Sequence, residues 1–169
     1  QSLQCNELEK GYFNSGVLLI NTLAWAQESV SAKAMSMLAD KAIVSRLTYM
    51  DQDILNLILL GKVKLIEAKY NTQFSLNYEL KKSFVCPIND ETVLIHYVGP
   101  TKPWHYWAGY PSAQPFIKAK EASPWKNEPL MRPVNSNYAR YCAKHNFKQN
   151  KPINGIMNYI YYFYLKIIK

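Results

Sequence analysis

The segment Ile95-His96-Tyr97-Val98-Gly99-Pro100-Thr101-Lys102-Pro103-Trp104 sets the reading of the whole chain. Thr92 to Tyr97 reads as a short buried strand, because Val93, Leu94 and Ile95 form an apolar run rich in β-branched residues. The strand ends on the imidazole of His96, and the loop after it is restricted by Gly99, Pro100 and Pro103. Gly99 lets main chain approach a ligand closely, and Lys102 supplies a cation three residues on. A neutral imidazole suits Mn²⁺ or a similar ion, while an ammonium and open backbone N–H groups suit phosphate oxygens. His-x-x-Gly-x-x-Lys is thus the pattern of half a metal–diphosphate site. A hydrogen-bonded structural histidine followed by an ordinary turn gives the same letters.

Composition narrows the partners. A chain of 169 residues, 49% hydrophobic, can bury one sizeable core and carry an appendage. Cys5, Cys86 and Cys142 are far apart and odd in number, which argues for a reducing compartment and against a disulfide framework or zinc site. The opening Gln1 to Lys10 is polar, without initiator Met or signal-peptide pattern, and reads as a cut end. Residues 101–169 hold 11 Lys/Arg against 2 Asp/Glu, whereas residues 1–100 hold 9 against 10. All the excess charge therefore lies in the last third, which is also rich in aromatics and points to an anionic partner.

Along the chain, Tyr12-Phe13-Asn14-Ser15-Gly16 reads as a loop feeding a fully buried strand, Val17 to Asn21, apolar without alternation. Asn14, Ser15 and Gly16 are small and polar enough to meet a sugar hydroxyl, and equally typical of a turn. Ser29 to Asp40 has a helical stripe of Val30, Met35, Met37 and Leu38, capped by Ser29 or Ser31, with the methionines as core filler. Asp51 is the expected N-cap of a buried two-turn helix that Gly61 stops. Its start could present Asp51 and Gln52 to a pocket, while capping alone explains the Asp51-x-Asp53 pair without an ion.

Val63 to Glu67 reads as a short strand, Ala68 to Lys82 as an irregular excursion, and Asn89-Asp90 as a bend. Ser112 to Ala122 forms a basic helix, broken at Ser123-Pro124-Trp125-Lys126. His105 and His145 lack ligand partners at suitable spacing and read as surface or packing residues. Asn137 to Lys148 places Arg140, Lys144 and Lys148 on one helical face. The last segment, Ile156 to Lys169, is apolar or aromatic nearly all round. As a helix it spans roughly 21 Å, too short for a hydrocarbon core of ~30 Å. Its tyrosines and lysines suit the headgroup level, so it reads as lying on a membrane, with a docked core helix as the competing reading.

Taken in order, Tyr-Phe-Asn-Ser-Gly-Val-Leu-Leu-Ile-Asn, Asp-Gln-Asp-Ile-Leu-Asn and Ile-His-Tyr-x-Gly-x-x-Lys-Pro-Trp resemble glycosyltransferase family 8. The nearest likeness is to bacterial enzymes that extend the lipopolysaccharide core with glucose or galactose. Trp-His-x-Trp-x-x-Tyr-Pro and Ser-Pro-Trp-Lys resemble the C-terminal extension of those core transferases. The resemblance implies an α/β chain: the C-terminal half of a GT-A, Rossmann-like domain over residues 1–110, then a helical, basic-aromatic, membrane-associating extension over 111–169. It implies a retaining hexosyltransferase using UDP-glucose or UDP-galactose with Mn²⁺ (or Mg²⁺) and acting on the lipopolysaccharide core.

By motif position the resemblance makes His96 the metal ligand and places Gly99 and Lys102 on the donor diphosphate. It puts Asn14, Ser15 and Gly16 on the loop lining the sugar pocket, with Asp51 and Gln52 against the transferred sugar. It further implies a cytoplasmic enzyme, peripheral on an anionic inner-membrane surface of a Gram-negative bacterium, with no nucleic acid expected. The family's own Asp-x-Asp and uridine-binding strand lie upstream of Tyr-Phe-Asn-Ser-Gly, where this sequence carries neither, so the chain by itself is expected not to transfer sugar. The competing class is a non-catalytic basic, aromatic module for membrane or nucleic acid.

Overall fold

The computed structural model describes residues 11–168. The reading of residues 1–10, Cys5 included, lies outside the described residues. The chain divides into two compact units, Gln1–Asn71 and Thr72–Lys169, and each is described by itself.

The first unit is helical. Its elements are α1 (Thr22–Gln27), α2 (Val30–Ala39), α3 (Lys41–Val44) and α4 (Met50–Ile58), closed by a 3-10 turn at Ala68–Asn71. The Asn21 and Asp40 side chains cap α1 and α3 by accepting from Ala24 N and Ala42 N. Ser29 stands at the N-cap of α2, in a left-handed conformation (φ 52°) and with no side-chain capping bond. Of the expected apolar stripe on α2 only Val30 is buried, and Met35 is 67% exposed. Met35 is therefore not core filler.

Two expected strands are absent among the described residues. Val17 to Asn21 is irregular and largely exposed, with Leu19 fully in solvent. Val63 to Glu67 is likewise irregular and exposed. A strand buried on both faces needs hydrogen-bonding neighbours as well as an apolar run. No described residue pairs with either segment, since the one sheet lies in the other unit.

Helix α4 begins two residues earlier than expected. Tyr49 is its N-cap and Asp51 lies inside the first turn. The carboxylate that satisfies the helix start belongs to Asp53, which accepts from Thr48 N (2.7 Å) and Tyr49 N (2.8 Å). Gly61, with φ 72°, ends the helical course as expected, in the left-handed region where glycine is unstrained.

The second unit mixes helices with a small parallel sheet. Strand β1 (Thr72–Phe74) pairs with β2 (Ile95–Tyr97) in the register Thr72↔Ile95, Gln73↔His96 and Phe74↔Tyr97. β1 arises inside the segment expected to be irregular, and β2 is shorter than expected, because Val93 is 64% exposed. The crossover contains a 3-10 turn at Leu76–Leu80 and the expected bend at Asn89, whose carbonyl accepts from Thr92 N. After a 3-10 turn at Pro111–Ala113 come α5 (Gln114–Glu121), α6 (Ser136–Lys148) and α7 (Pro152–Ile167).

The core gathers Phe74, Leu76, Ala108, Tyr110 and Ala113, with Phe84, Ile88 and Tyr97 packed on it. A second buried layer stacks His105 on Trp107 (centroids 4.2 Å), and Tyr138 of α6 packs against both. α6 and α7 form a helical hairpin whose turn uses Asn150 at φ 57°. A Cβ on Gly155 would stand 2.6 Å from Phe147 Cε2, so that glycine lets the Phe147 ring lie against α7.

The burial of α7 is inverted. Gly155, Asn158, Tyr159, Tyr162 and Leu165 form its more buried stripe. Ile153, Ile156, Met157, Ile160, Phe163, Tyr164 and Ile167 are all exposed. Among the described residues no helix is long and apolar enough to cross a membrane.

Candidate functional site

In the first unit, the loop Tyr12 to Gly16 is hydrogen-bonded along its length to α4. Asn56 makes a paired contact with Phe13, accepting from its N–H and donating to its carbonyl, each at 2.8 Å. One turn earlier, Gln52 Oε1 accepts from Asn14 Nδ2 (2.8 Å) and Ser15 N (3.1 Å), while Gln52 Nε2 donates to Tyr12 Oη (2.8 Å). Tyr12 Oη in turn donates to Asp53 Oδ1 (2.5 Å). Asn14 Oδ1 accepts from Gly16 N and Asn71 Nδ2, both at 3.1 Å.

The helix presents these groups for a simple reason. Residues 52, 53 and 56 of α4 fall on one face at spacings of three and four, and the loop lies along it. Burial pushes the Asp53 carboxyl up, but its bonds from Tyr12 and from the Tyr49 and Thr48 N–H groups outweigh that and hold it below the usual range. Tyr12 is raised by burial and by its bond to Asp53. Asp53 is thus the structural carboxylate.

Asp51, on the exposed side of the same turn, accepts only a long bond from Ser15 Oγ at 3.4 Å. The Gln52 carbonyl oxygen is engaged by two donors, whereas the Asp51 carboxylate keeps most of its acceptor capacity. The site residues expected on this side of the chain, Asn14, Ser15, Gly16, Asp51 and Gln52, therefore come together around one helix start. Sequence reasoning passed over Tyr12, Asn56 and Asn71. The Asp53-x-x-Asn56 spacing on the buried helix face was the available signal.

In the second unit, Gln73 and His96 are register partners, so their side chains share one face of the sheet. Gln73 is exposed between buried Thr72 and buried Phe74, which places His96 on the face turned away from the core. Burial, and then the charge of Lys102, hold the His96 imidazole below its ordinary value and thus neutral at pH 7. Lys102 Nζ donates to the Tyr97 carbonyl at 2.6 Å and stands 6.0 Å from the Trp104 ring centre. Partial burial lowers the Lys102 ammonium as well.

Gly99 has φ 80°, and a Cβ there would meet Ser75 Oγ at 2.8 Å. The close approach that this glycine permits is thus to the Ser75 side chain. His96 could furnish one ligand to a divalent ion. Among the described residues no group of three or more His, Cys, Asp or Glu is placed to hold one. One imidazole is a ligand and not a coordination shell.

His105 and His145 are packing residues, at 1% and 0% exposure, and neither is on the surface. His145, from α6, bonds Tyr110 Oη at 2.7 Å through Nδ1, and Thr101 Oγ1 and Asn77 Oδ1 at 3.1 Å through Nε2. It thereby fixes the residue immediately before Lys102. His105 Nδ1 accepts from Lys102 N at 3.1 Å. Burial is the main cause that brings both histidines down to about 4. The partners of His145 come from three separate segments, so this hub was not visible as such in the sequence.

Comparison with known proteins identifies the family. The family model "Glycosyl transferase family 8" matches residues 1–108, and "Glycosyl transferase family 8 C-terminal" matches residues 110–166. The chain is 53% identical to lipopolysaccharide glucosyltransferase WaaO of Escherichia coli (strain K12) over 98% of its own length and 49% of that protein's. It is 49% identical to lipopolysaccharide 1,3-galactosyltransferase of Salmonella typhimurium (strain LT2), over 99% of this chain and 50% of that one. With a lipopolysaccharide 1,2-glucosyltransferase of Escherichia coli the identity is 40%, over 96% and 49%. No solved structure matches the chain. The chain spans about half the length of the curated relatives it matches. With two successive models of one family covering nearly every residue, and the motif residues Asn14, Gln52, His96 and Lys102 inside the first, the chain belongs to glycosyltransferase family 8.

Proposed function

We propose that this chain serves a retaining hexosyltransferase that moves glucose or galactose from a UDP-sugar to the lipopolysaccharide core. The observation that carries the reading is the loop Tyr12 to Gly16 locked onto the start of α4, in a chain whose relatives are named for glucosyl and galactosyl transfer to lipopolysaccharide. Asn14 and Ser15 would bond hydroxyls of the transferred sugar. Asp51, the more open acceptor, would face the positive charge that grows at the anomeric carbon, as carboxylates do in glycoside hydrolysis. Gln52, with its carbonyl engaged twice, would position Asn14 and Ser15. In the second unit Lys102 would stabilise the charge left on the departing diphosphate, with Gly99 setting the turn of that loop. His96 would contribute one ligand to Mn²⁺ or Mg²⁺, an ion that neutralises diphosphate charge when bound.

The reading includes residues 1–110 as part of a GT-A catalytic domain and residues 111–169 as an extension that lies on the cytoplasmic face of an anionic inner membrane. Its support is the exposed aliphatic and aromatic face of α7, together with 11 Lys/Arg against 2 Asp/Glu over residues 101–169. Aliphatics such as Ile153, Ile156 and Ile160 on that face favour lipid over nucleic acid, whose bases need flat aromatic platforms.

The test is transfer from UDP-[¹⁴C]glucose or UDP-[¹⁴C]galactose to delipidated core oligosaccharide. The full-length protein should turn over, and the 169-residue chain alone should not. Metal-dependent turnover by the isolated chain would contradict the second expectation, and failure of the full-length protein with both donors would contradict the first. For the extension, flotation with phosphatidylglycerol vesicles should weaken with salt, and oligonucleotide binding should be absent.

A further inference from the structure

Trp125 stands apart from the other tryptophans. Trp107 is buried in a stack, Trp104 lies against Phe116 and His105, and Trp25 donates its indole N–H to Ser31. Trp125 is 68% exposed, and among the described residues its ring engages no aromatic, cation or hydrogen-bond partner. Its backbone is nonetheless held from several sides. Lys120 Nζ donates to the Trp125 carbonyl at 2.8 Å and to the Lys126 carbonyl at 3.0 Å. Ser123 Oγ donates to the Lys120 carbonyl at 2.7 Å and accepts from Trp125 N at 3.2 Å. Pro124 restricts the intervening bond, and Glu128 N closes the turn on the Trp125 carbonyl at 3.0 Å. A lysine that could have stayed in water is instead bonded to two carbonyls, and the result is a fixed loop presenting a large bare indole.

The surroundings indicate what the indole meets. Lys126, Asn127 and Glu128, which follow Trp125 directly in the chain, are exposed, carry both signs of charge, and offer donors and acceptors. The exposed face of α7 carries a row of isoleucines, whereas this surface presents one indole among charged and amide side chains. A flat apolar face rimmed by hydrogen-bonding groups matches a pyranose, which has a C–H face and a hydroxyl edge. Rigid presentation keeps the ordering cost of such a contact small.

We propose that Trp125 is a stacking platform for a pyranose ring of the acceptor saccharide, an inference that rests on the transferase reading for the identity of that saccharide. The test uses the full-length protein, with delipidated core oligosaccharide as probe and tryptophan emission as readout. Oligosaccharide should shift the emission of the wild type and leave that of W125F unshifted. By calorimetry W125A should bind it about tenfold more weakly and W125F about twofold, with UDP binding unchanged. Because the side chain is exposed, both variants should melt with the wild type.

Equal oligosaccharide affinity in W125A overturns the platform. So does weaker flotation of W125A on phosphatidylglycerol vesicles with oligosaccharide affinity intact, which would reassign the indole to lipid. If no hexose is transferred from either UDP-sugar while W125A still loses the oligosaccharide, the platform stands and the transferase reading falls. Normal transfer with an unchanged acceptor KM in W125A overturns the platform alone.

Discussion

The two units reach order by different means. In the unit ending at Asn71, the described buried apolar residues are Phe13, Val30 and Ile54, while Asp53 and Asn56 are buried beside them and bonded to backbone. Its geometry is set by directional bonds between a loop and a helix start. The unit beginning at Thr72 buries Phe74, Leu76, Trp107, Tyr110 and a row of small residues on α6, with two histidines inside. Its geometry is set by packed rings. A site that must place hydroxyl-binding groups benefits from directional bonds, because they fix atoms as well as surfaces.

Truncation at the centre of the packed unit gives the largest expected effect. Trp107→Ala should cost about 3–5 kcal/mol, because it removes a fully buried indole and the ring that stacks on His105. Hydrogen exchange resolved by residue should show faster opening throughout residues 72–168 and little change around α4. Uniform opening of both units would break the distinction drawn between them.

Acid should separate the units next. His105 and His145 are held down to about 4 by burial, against an ordinary 6.5. Folding therefore favours their neutral forms, and the stability this confers is complete above pH 6.5 and lost as pH falls toward 4. Each contributes on the order of 3 kcal/mol over that window. Asp53 is also depressed, so its contribution persists until pH falls below its ordinary 3.8. On acidification from pH 7 the packed unit should loosen first and the loop–helix unit later, and His145→Gln should flatten the slope of melting temperature between pH 6.5 and 4. Simultaneous loss near pH 3 would contradict the assignment.

A smaller effect is expected in the first unit. Asn56→Ala deletes two buried bonds to Phe13 and should cost about 2 kcal/mol. Exchange at the Phe13 and Ser15 amides should rise in this variant, while the amides of β1 and β2 stay protected.

What was legible in the sequence follows the same division. Side-chain motifs placed Asn14, Ser15, Asp51 and Gln52 on a loop and a helix start, because turn residues and caps act locally. The capping role expected of Asp51 falls instead to Asp53, since only the fold shows that Asp53 reaches back to Thr48 and Tyr49. Helices α5, α6 and α7 were legible from their periodicity and breaks. Strands were less so. Val17 to Asn21 and Val63 to Glu67 have strand composition, but pairing is a non-local property and no described residue pairs with them. Thr72-Gln73-Phe74 does pair, from within a polar stretch whose letters show little of it. The buried His145 hub was also hidden, because its partners Asn77, Thr101 and Tyr110 come from three separate segments.

The most direct measurement is hexose transfer from UDP-glucose and UDP-galactose by full-length Asp51→Asn, set beside its melting temperature. Asp51 is exposed and makes one long bond, so the substitution should leave the melting temperature unchanged while turnover falls at least about 100-fold, on the order of 3 kcal/mol of transition-state stabilisation. Turnover within about twofold of the wild type, which corresponds to less than 1 kcal/mol, would contradict the claim that the start of α4 faces the transferred sugar.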